Sequence, residues 1–229
     1  MSDMKFWLVA ILALIAFPVA FAEKGTFVDQ VQFIQYLDEN TALGEIRNGN
    51  LDIYYFRVSS DRIETEKSRE GIQVFESTGG SYSILTNPSV SESFNPFSIK
   101  EVRFALNYLI DKKFIVNELI GGYGRTMISN YGAFAADYLS IIDELESFHF
   151  KYNPSLANQL ITKELEKAGA EKIDGTWYHD GKQVEITFFI RSDDPVRKSI
   201  GEILSSELEK IGFKVNKDFG ALNKAFVVV

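Results

Sequence analysis

The amino-acid sequence predicts an α/β protein with mixed sheets flanked by helices. Three observations carry that expectation. From Val184 to Val215 an alternating stretch, an amphipathic stretch and a second apolar stretch follow one another across short joints, the order of a strand–helix–strand unit. The same order recurs between Val28 and Phe56. Between them, from Asn95 to Gly124, apolar residues fall at helical spacing. The 229 residues are 45% hydrophobic, enough for a core and unlike a disordered chain.

Residues 1–22 read as a signal peptide. Lys5 precedes an apolar run from Phe6, Pro18 breaks it, and Ala20-Phe21-Ala22 ends it before Glu23. An uncleaved N-terminal anchor is the alternative, and either one delivers the rest of the chain across a membrane. Residues 28–36 alternate as a strand through Val28, Val31 and Phe33. Asp38 to Asn48 is a short helix with Ala42, Leu43 and Ile46 inward, and Leu51 to Phe56 is a second strand. Short loops between these three predict a βαβ unit with parallel pairing. Ser60 to Glu70 carries mixed charges and suits a solvated helix or loop. Ile72 to Glu76 and Ser81 to Thr86 are further strands. Residues 87–97 hold two prolines and three serines, a linker composition that places the boundary between two lobes.

Beyond the linker, Ser98 with Glu101 forms a capping box ahead of a helix. That helix buries Val102, Ala105, Leu106, Leu109 and Ile110. Asp111 caps a second helix, which buries Phe114, Ile115, Leu119 and Ile120 and stops at Gly121-Gly122. The first half of the stretch from Tyr123 to Leu145 lacks periodicity and suits an irregular loop over a cleft. Arg125, Met127 and Tyr131 are its candidate ligand contacts, since loops carry function; ordinary packing of a long loop is the alternative. Asn153-Pro154 caps a helix that runs to Ala168, with Leu156, Ala157, Leu160, Ile161 and Leu165 on one face. Thr176 to Arg191 is expected as a hairpin turning at Asp180-Gly181, with His179 exposed at the turn. Ser192 to Pro195 opens the last helix, whose stripe of Val196, Ile200, Ile203, Leu204, Leu208 and Ile211 is worth roughly 9–18 kcal/mol gross. Gly212 ends it.

Several function classes lose support at this level. A net charge of -8 argues against nucleic acid as a partner. The absence of cysteine excludes disulfides, thiolate metal sites and a thiol nucleophile. His149 and His179 lie apart, without the spacing of metal ligands. There is no nucleophile elbow, phosphate loop or calcium loop. The acidic pair Asp193-Asp194 stands before Pro195, where helix capping explains it. No catalytic residue, metal ligand or cofactor is expected.

The wording of four segments nevertheless resembles one family. These are D-x-x-x-A-L-x-x-I-x-x-G-x-x-D-I from Asp38 to Ile53, and V-R-x-A-L-N-Y-x-I-D-K-x-x-I from Val102 to Ile115 with Gly121 and Gly122. The others are Y-N-P-x-x-A-x-x-L-I from Tyr152 to Ile161, and D-D-P-x-R-x-x-x-G-E-I-L from Asp193 to Leu204, running on into Gly212, Phe213 and Val215. Together they resemble the extracellular solute-binding proteins of family 5, the peptide, nickel and opine receptors of ABC importers. The resemblance implies a two-lobed fold like that of type II periplasmic binding proteins, with a partial first lobe over residues 23–95 and a partial second lobe over 96–229. It also implies a monomer, exported and periplasmic or extracellular or held at the outer face of the cell membrane. Such a protein captures a peptide or other small solute between its lobes and hands it to a membrane permease. In the family the strand equivalent to Ser81–Thr86 lines the ligand cleft, which nominates Tyr82, Ser83 and Asn87; a core role with its hydroxyl satisfied is the alternative for Tyr82. Members are usually much longer, so an incomplete member with exposed apolar surface near its C-terminus is expected. The competing expectation is an envelope interaction or sensing module built on the same fold.

Overall fold

The structure is a computed structural model that describes residues 28–77, 80–90, 93–129 and 136–224. The expected signal peptide and Tyr131 lie outside the described residues. The chain divides into two compact units, residues 1–56 and 57–229.

In the first unit, helix α1 spans Glu39–Arg47. It begins at Asp38, whose Oδ2 accepts from the Thr41 backbone N–H at 2.8 Å and from its hydroxyl at 2.9 Å. Those bonds, the backbone one foremost, hold the Asp38 carboxyl below its usual range. Ala42 and Leu43 are buried, as the helical spacing requires. The flanking stretches are a correction to the expected βαβ unit. Residues 28–36 and 51–56 form no strand ladder among the described residues. Phe33 is 83% exposed and Leu37 95%. Alternation decides which face of a strand turns inward; it does not supply the neighbour whose backbone must pair with it.

The second unit opens with α2 at Ser60–Lys67. The strands expected at Ile72–Glu76 and Ser81–Thr86 likewise form no ladder among the described residues. The alternation still shows in the latter: Tyr82, Ile84 and Thr86 are half-buried, while Ser83 and Leu85 are exposed.

Helix α3 spans Lys100–Leu109 and buries Val102, Ala105, Leu106 and Leu109. Its expected capping box does not form. Ser98 belongs to a preceding 3₁₀ turn, Pro96–Ser98, and α3 has no side-chain cap. Asn95 caps that turn by accepting from Phe97 N–H at 3.0 Å, and Arg103 reaches back to the carbonyls of Phe97 and Ser98 at 2.6 and 3.0 Å. These bonds tie α3 to the carbonyls of the turn before it and do not cap the first N–H groups of the helix. Asp111 caps α4, Lys112–Phe114, through Phe114 N–H at 2.9 Å. A π-helical turn, Ile115–Leu119, then ends at Gly121 and Gly122, both with left-handed backbone. None of this second helix is buried, contrary to expectation.

Helix α5 spans Ala136–Ser147 and α6 spans Pro154–Lys167. Asn153 caps α6, and its own N–H donates to the Tyr108 carbonyl at 2.7 Å, tying α6 to α3. A three-stranded antiparallel sheet follows, made of β1 (Glu171–Ile173), β2 (Thr176–His179) and β3 (Lys182–Gln183). The expected hairpin thus begins at Thr176 but ends at Gln183, and a further strand, β1, precedes it. It turns at Asp180-Gly181 as expected, but Asp174-Gly175 makes a second turn of the same backbone sign. β4 (Glu185–Arg191) leaves this sheet and pairs in parallel with β5 (Lys214–Gly220), from Glu185 opposite Lys214 to Arg191 opposite Gly220.

Helix α7, Pro195–Ile211, is the crossover that makes this parallel pairing possible. Leu204, Leu208 and Ile211 of its stripe are buried, while Val196, Ile200 and Ile203 are half-buried. Gly201 faces β4 at a point where a Cβ would lie 2.6 Å from Ile190 Cγ2, so only glycine lets the helix sit this close. Gly212 ends α7 with φ 107°, and a Cβ there would lie 2.3 Å from the Gly175 carbonyl oxygen. The core joins α3, α6 and α7 around Trp177, which is fully buried and donates from its indole N–H to the Ile211 carbonyl at 3.1 Å.

Candidate functional site

In open α/β sheets, ligands bind beyond the carboxyl ends of the strands. Here those ends are Arg191 of β4 and Gly220 of β5, held side by side by the Ser192 N–H donating to the Gly220 carbonyl at 3.0 Å. The polypeptide then turns through Asp193 and Asp194 into α7. Polar side chains concentrate at this edge, and the half-buried Tyr82 joins them from segment 80–90.

Asp194 is the α7 cap. Its Oδ1 accepts from the N–H groups of Val196 and Arg197 at 3.0 and 3.1 Å. Its Oδ2 lies 3.5 Å from Arg57 Nη2 and 3.3 Å from Arg197 Nε. The latter nitrogen is buried and makes no hydrogen bond, so its closeness to Asp194 is that of an ion pair alone. Arg57 also donates from Nη1 to the Tyr82 hydroxyl at 2.8 Å. The Arg197 guanidinium stands 4.9 Å from the centroid of the Tyr82 ring, within cation–π range. Asp193 is separate. Both its oxygens take Arg191 at 2.9 Å, and Oδ2 also accepts from Leu222 N–H. The Arg191 bonds foremost pull the Asp193 carboxyl down to about 2.

Of the residues nominated from the sequence, Tyr82 stands in this cluster. Ser83, next to it, is exposed. Asn87 closes an Asx turn, accepting from Ser89 N–H at 3.0 Å, while its carbonyl takes Asn95 Nδ2 at 2.8 Å. Arg125 is exposed. Met127 is half-buried, and its carbonyl accepts from Lys112 Nζ at 2.9 Å, with Asn107 Oδ1 the amine's second acceptor at 3.2 Å. Burial pushes the Lys112 amine below its usual range. No hydrogen bond or ion pair brings Ser83, Asn87, Arg125 or Met127 to Tyr82 among the described residues. Sequence reasoning passed over Arg57 and Arg197. The signal was positional: Arg57 directly follows an apolar strand-like run, and Arg197 stands one turn into a helix that opens just after a strand.

An open hollow of about 330 Å³ is lined by Ile84, Leu109, Asp111, Tyr152, Ile203 and Glu207, among others. Its Glu207 is held by Lys210 at 2.6 Å and by the Tyr152 hydroxyl at 3.4 Å, so its charge is already answered. His179 is half-buried rather than exposed, stacked on Phe94 with ring centroids 4.2 Å apart. Among the described residues, no group of three His, Cys, Asp or Glu is placed to hold a metal ion. No described helix is long and apolar enough to cross a membrane.

The family profile described as bacterial extracellular solute-binding proteins, family 5 (middle) matches residues 18–225. The oligopeptide-binding protein AppA of Bacillus subtilis is 26% identical over 195 residues, covering 84% of this chain and 34% of AppA. The solved structure of AppA in complex with a nonapeptide matches with a TM-score of 0.56 at 24% identity, over 82% of this chain and 35% of that one. The Thermotoga maritima periplasmic oligopeptide-binding protein, solved with mannohexaose bound, matches with a TM-score of 0.57 at 20% identity, over 83% and 35% of the two chains. The fold is thus that of the type II periplasmic binding proteins, and the chain spans about a third of the length of these relatives.

Proposed function

The chain belongs to family 5 of the bacterial extracellular solute-binding proteins, and from that premise we propose that it serves as the substrate-binding component of an ABC importer. In this reading it captures an oligopeptide or a similar small solute between a first lobe within residues 23–95 and a second within 96–229. It then presents the solute to a membrane permease from the outer side of the membrane. Tyr82, Ser83 and Asn87 on the crossing segment, with Arg125, Met127 and Tyr131 on the loop, are the proposed ligand contacts.

The observation that carries this reading is the polar cluster at the carboxyl edge of β4 and β5. Arg57 and Tyr82 reach it from the N-terminal side of the linker, and Asp194 and Arg197 from the C-terminal side. A site assembled from both sides of a hinge is what closure upon a solute requires. Oligopeptides are the first substrate class because AppA, by name and by its nonapeptide complex, binds them. Mannohexaose in the Thermotoga structure makes oligosaccharides the second class.

A second reading, an envelope interaction or sensing module without a transport role, is favoured by the exposed apolar side chains of the unpaired segments, among them Phe33, Phe56, Phe75 and Leu85. A thermal-shift screen of the full chain against di- to hexapeptides, nickel chelates and oligosaccharides separates the two. A solute that binds the folded state, at a hundred times its dissociation constant, adds about 2.7 kcal/mol of stability. A clear shift supports the importer reading. A cooperative melt that no solute moves favours the interaction module, and no cooperative melt assigns function to a longer chain.

A further inference from the structure

Strands β4 and β5 form a two-stranded parallel sheet, so among the described residues each keeps one edge that no other strand covers. On β5 covered and open positions alternate. Lys214 N–H donates to the Val184 carbonyl at 3.3 Å, and the Gly220 carbonyl accepts from Ser192 N–H at 3.0 Å. The even-numbered residues from Lys214 to Gly220 therefore direct their backbone groups at β4. Those of Val215, Lys217 and Phe219 point the other way and meet no backbone partner among the described residues. An open row of this kind is a template for another strand of matching chemistry.

The side chains along that row match a second copy of themselves. On the sheet face turned away from α7, Glu185 pairs with Lys214 at 2.6 Å, and Asp218 pairs with Lys224. Three two-fold antiparallel registers overlap most of the strand, centred on residue 216, 217 or 218. Centring on Lys217 sets two ammonium groups opposite each other, and centring on Asp218 sets two carboxylates opposite each other. Like charges so placed repel. Centring on Asn216 sets Lys214 opposite the second copy's Asp218, twice by symmetry. The charges then alternate in sign across the axis, from Glu185 and Lys214 to the second copy's Asp218 and Lys224.

We infer that β5 is a docking edge for a second copy of this chain, paired antiparallel about a two-fold axis at Asn216. Val215 and the second copy's Lys217 exchange backbone hydrogen bonds on each side of the axis, the same patch serving both copies. On the face toward α7, the Lys217 ammonium stays with Glu209 at 3.3 Å, and its carbon stem lies over the second copy's Val215. The family resemblance implies a monomer, so this pairing departs from that expectation. It does not depend on which solute, if any, the chain takes up.

The chain has no cysteine, so a single introduced thiol reports its own contacts. Asn216 is exposed and stands on the axis, where facing Cα atoms lie about 4.5 Å apart, within reach of a disulfide. Thr187 on β4 is also exposed and lies beside Asn216 in the ladder, but it belongs to the opposite edge. Under mild oxidation of the full chain, Asn216→Cys is expected to give a disulfide-linked dimer at least about tenfold faster than Thr187→Cys, because pairing raises the local thiol concentration. Lys217→Pro removes an outward N–H and leaves the β4 ladder intact. It is expected to lower the light-scattering mass from dimer to monomer, while circular dichroism shows a melt like the parent's. A parent that is monomeric at the concentration of the oxidation experiment would overturn the pairing. Thr187→Cys crosslinking as fast as Asn216→Cys would also overturn it, by assigning the contact to the β4 edge or to random collision. So would a dimer that Lys217→Pro leaves unchanged; if that variant melts early, the two cysteine variants still decide.

Discussion

Most of the buried apolar side chains lie on the C-terminal side of the 87–97 linker, and most of the strongly exposed ones on the N-terminal side. On the C-terminal side, α3, α6, α7 and the small antiparallel sheet enclose Trp177, Ile161, Leu165 and Leu109 with almost no exposure. On the N-terminal side, Val31, Phe33, Ile53, Phe56, Phe75 and Leu85 are exposed although their spacing is as regular. The difference lies in whether each segment's neighbour is within reach along the chain. Helices satisfy their own backbone, and the β1–β3 turns bring partners together within a few residues. β4 finds β5 because α7 returns the chain at the right distance. Residues 28–36, 51–56, 72–76 and 81–86 have strand composition and no adjacent strand among the described residues, so pattern alone leaves them unpaired.

The contrast can be broken most forcefully at Trp177. Replacing it with alanine removes the largest fully buried side chain and its bond to Ile211, and is expected to cost about 3–5 kcal/mol, measured by urea denaturation. A loss under 1 kcal/mol would mean that the C-terminal core does not act as one packed body. Gly201→Ala comes next. Its Cβ would press on the buried Ile190, for an expected loss of about 1–3 kcal/mol by overpacking; unchanged stability would show that α7 can lift from β4 at little cost. A smaller effect attaches to Asp193. Because its pKa is lowered in the folded state, its pair with Arg191 stabilises fully above the ordinary carboxylate pKa of 3.8 and loses that contribution as pH falls through about 2. Asp193→Asn should therefore be less stable than the parent at pH 5 and match it near pH 2. Smallest of all is Phe75→Lys on the N-terminal side. That side chain is already 85% exposed, so the melt should stay within about 0.5 kcal/mol of the parent while light scattering falls.

What could be read ahead of the structure follows the same division. The α1, α3, α6 and α7 faces were legible because helical periodicity is local, and Asp38, Asp111, Asn153 and Asp194 announced their helix starts. Ser98 misled because a capping box is judged from two side chains, whereas Ser98 lies inside the 3₁₀ turn ahead of α3 and its hydroxyl donates back to the Asn95 carbonyl at 2.8 Å. The β4–β5 pairing is legible as strand–helix–strand order, yet β4 also reads as the second arm of the hairpin, because β3 is only two residues long and the alternation runs on through Val184 into β4. At the site, Tyr82 could be nominated, but Arg57 could not. Its partners are 25 residues distant at Tyr82 and farther still at Asp194, and nothing in an isolated arginine declares such a partner.

The seat of Gly201 on Ile190 has a mechanical consequence. Arg197 stands four residues before Gly201 on the same face of α7, about one helical turn away. A helix resting on a β-branched side chain with no Cβ between them is a bearing without play, since packed interiors compress little. A shift of α7 toward β4 therefore meets the Ile190 side chain at once, with little slack for the helix to take up first.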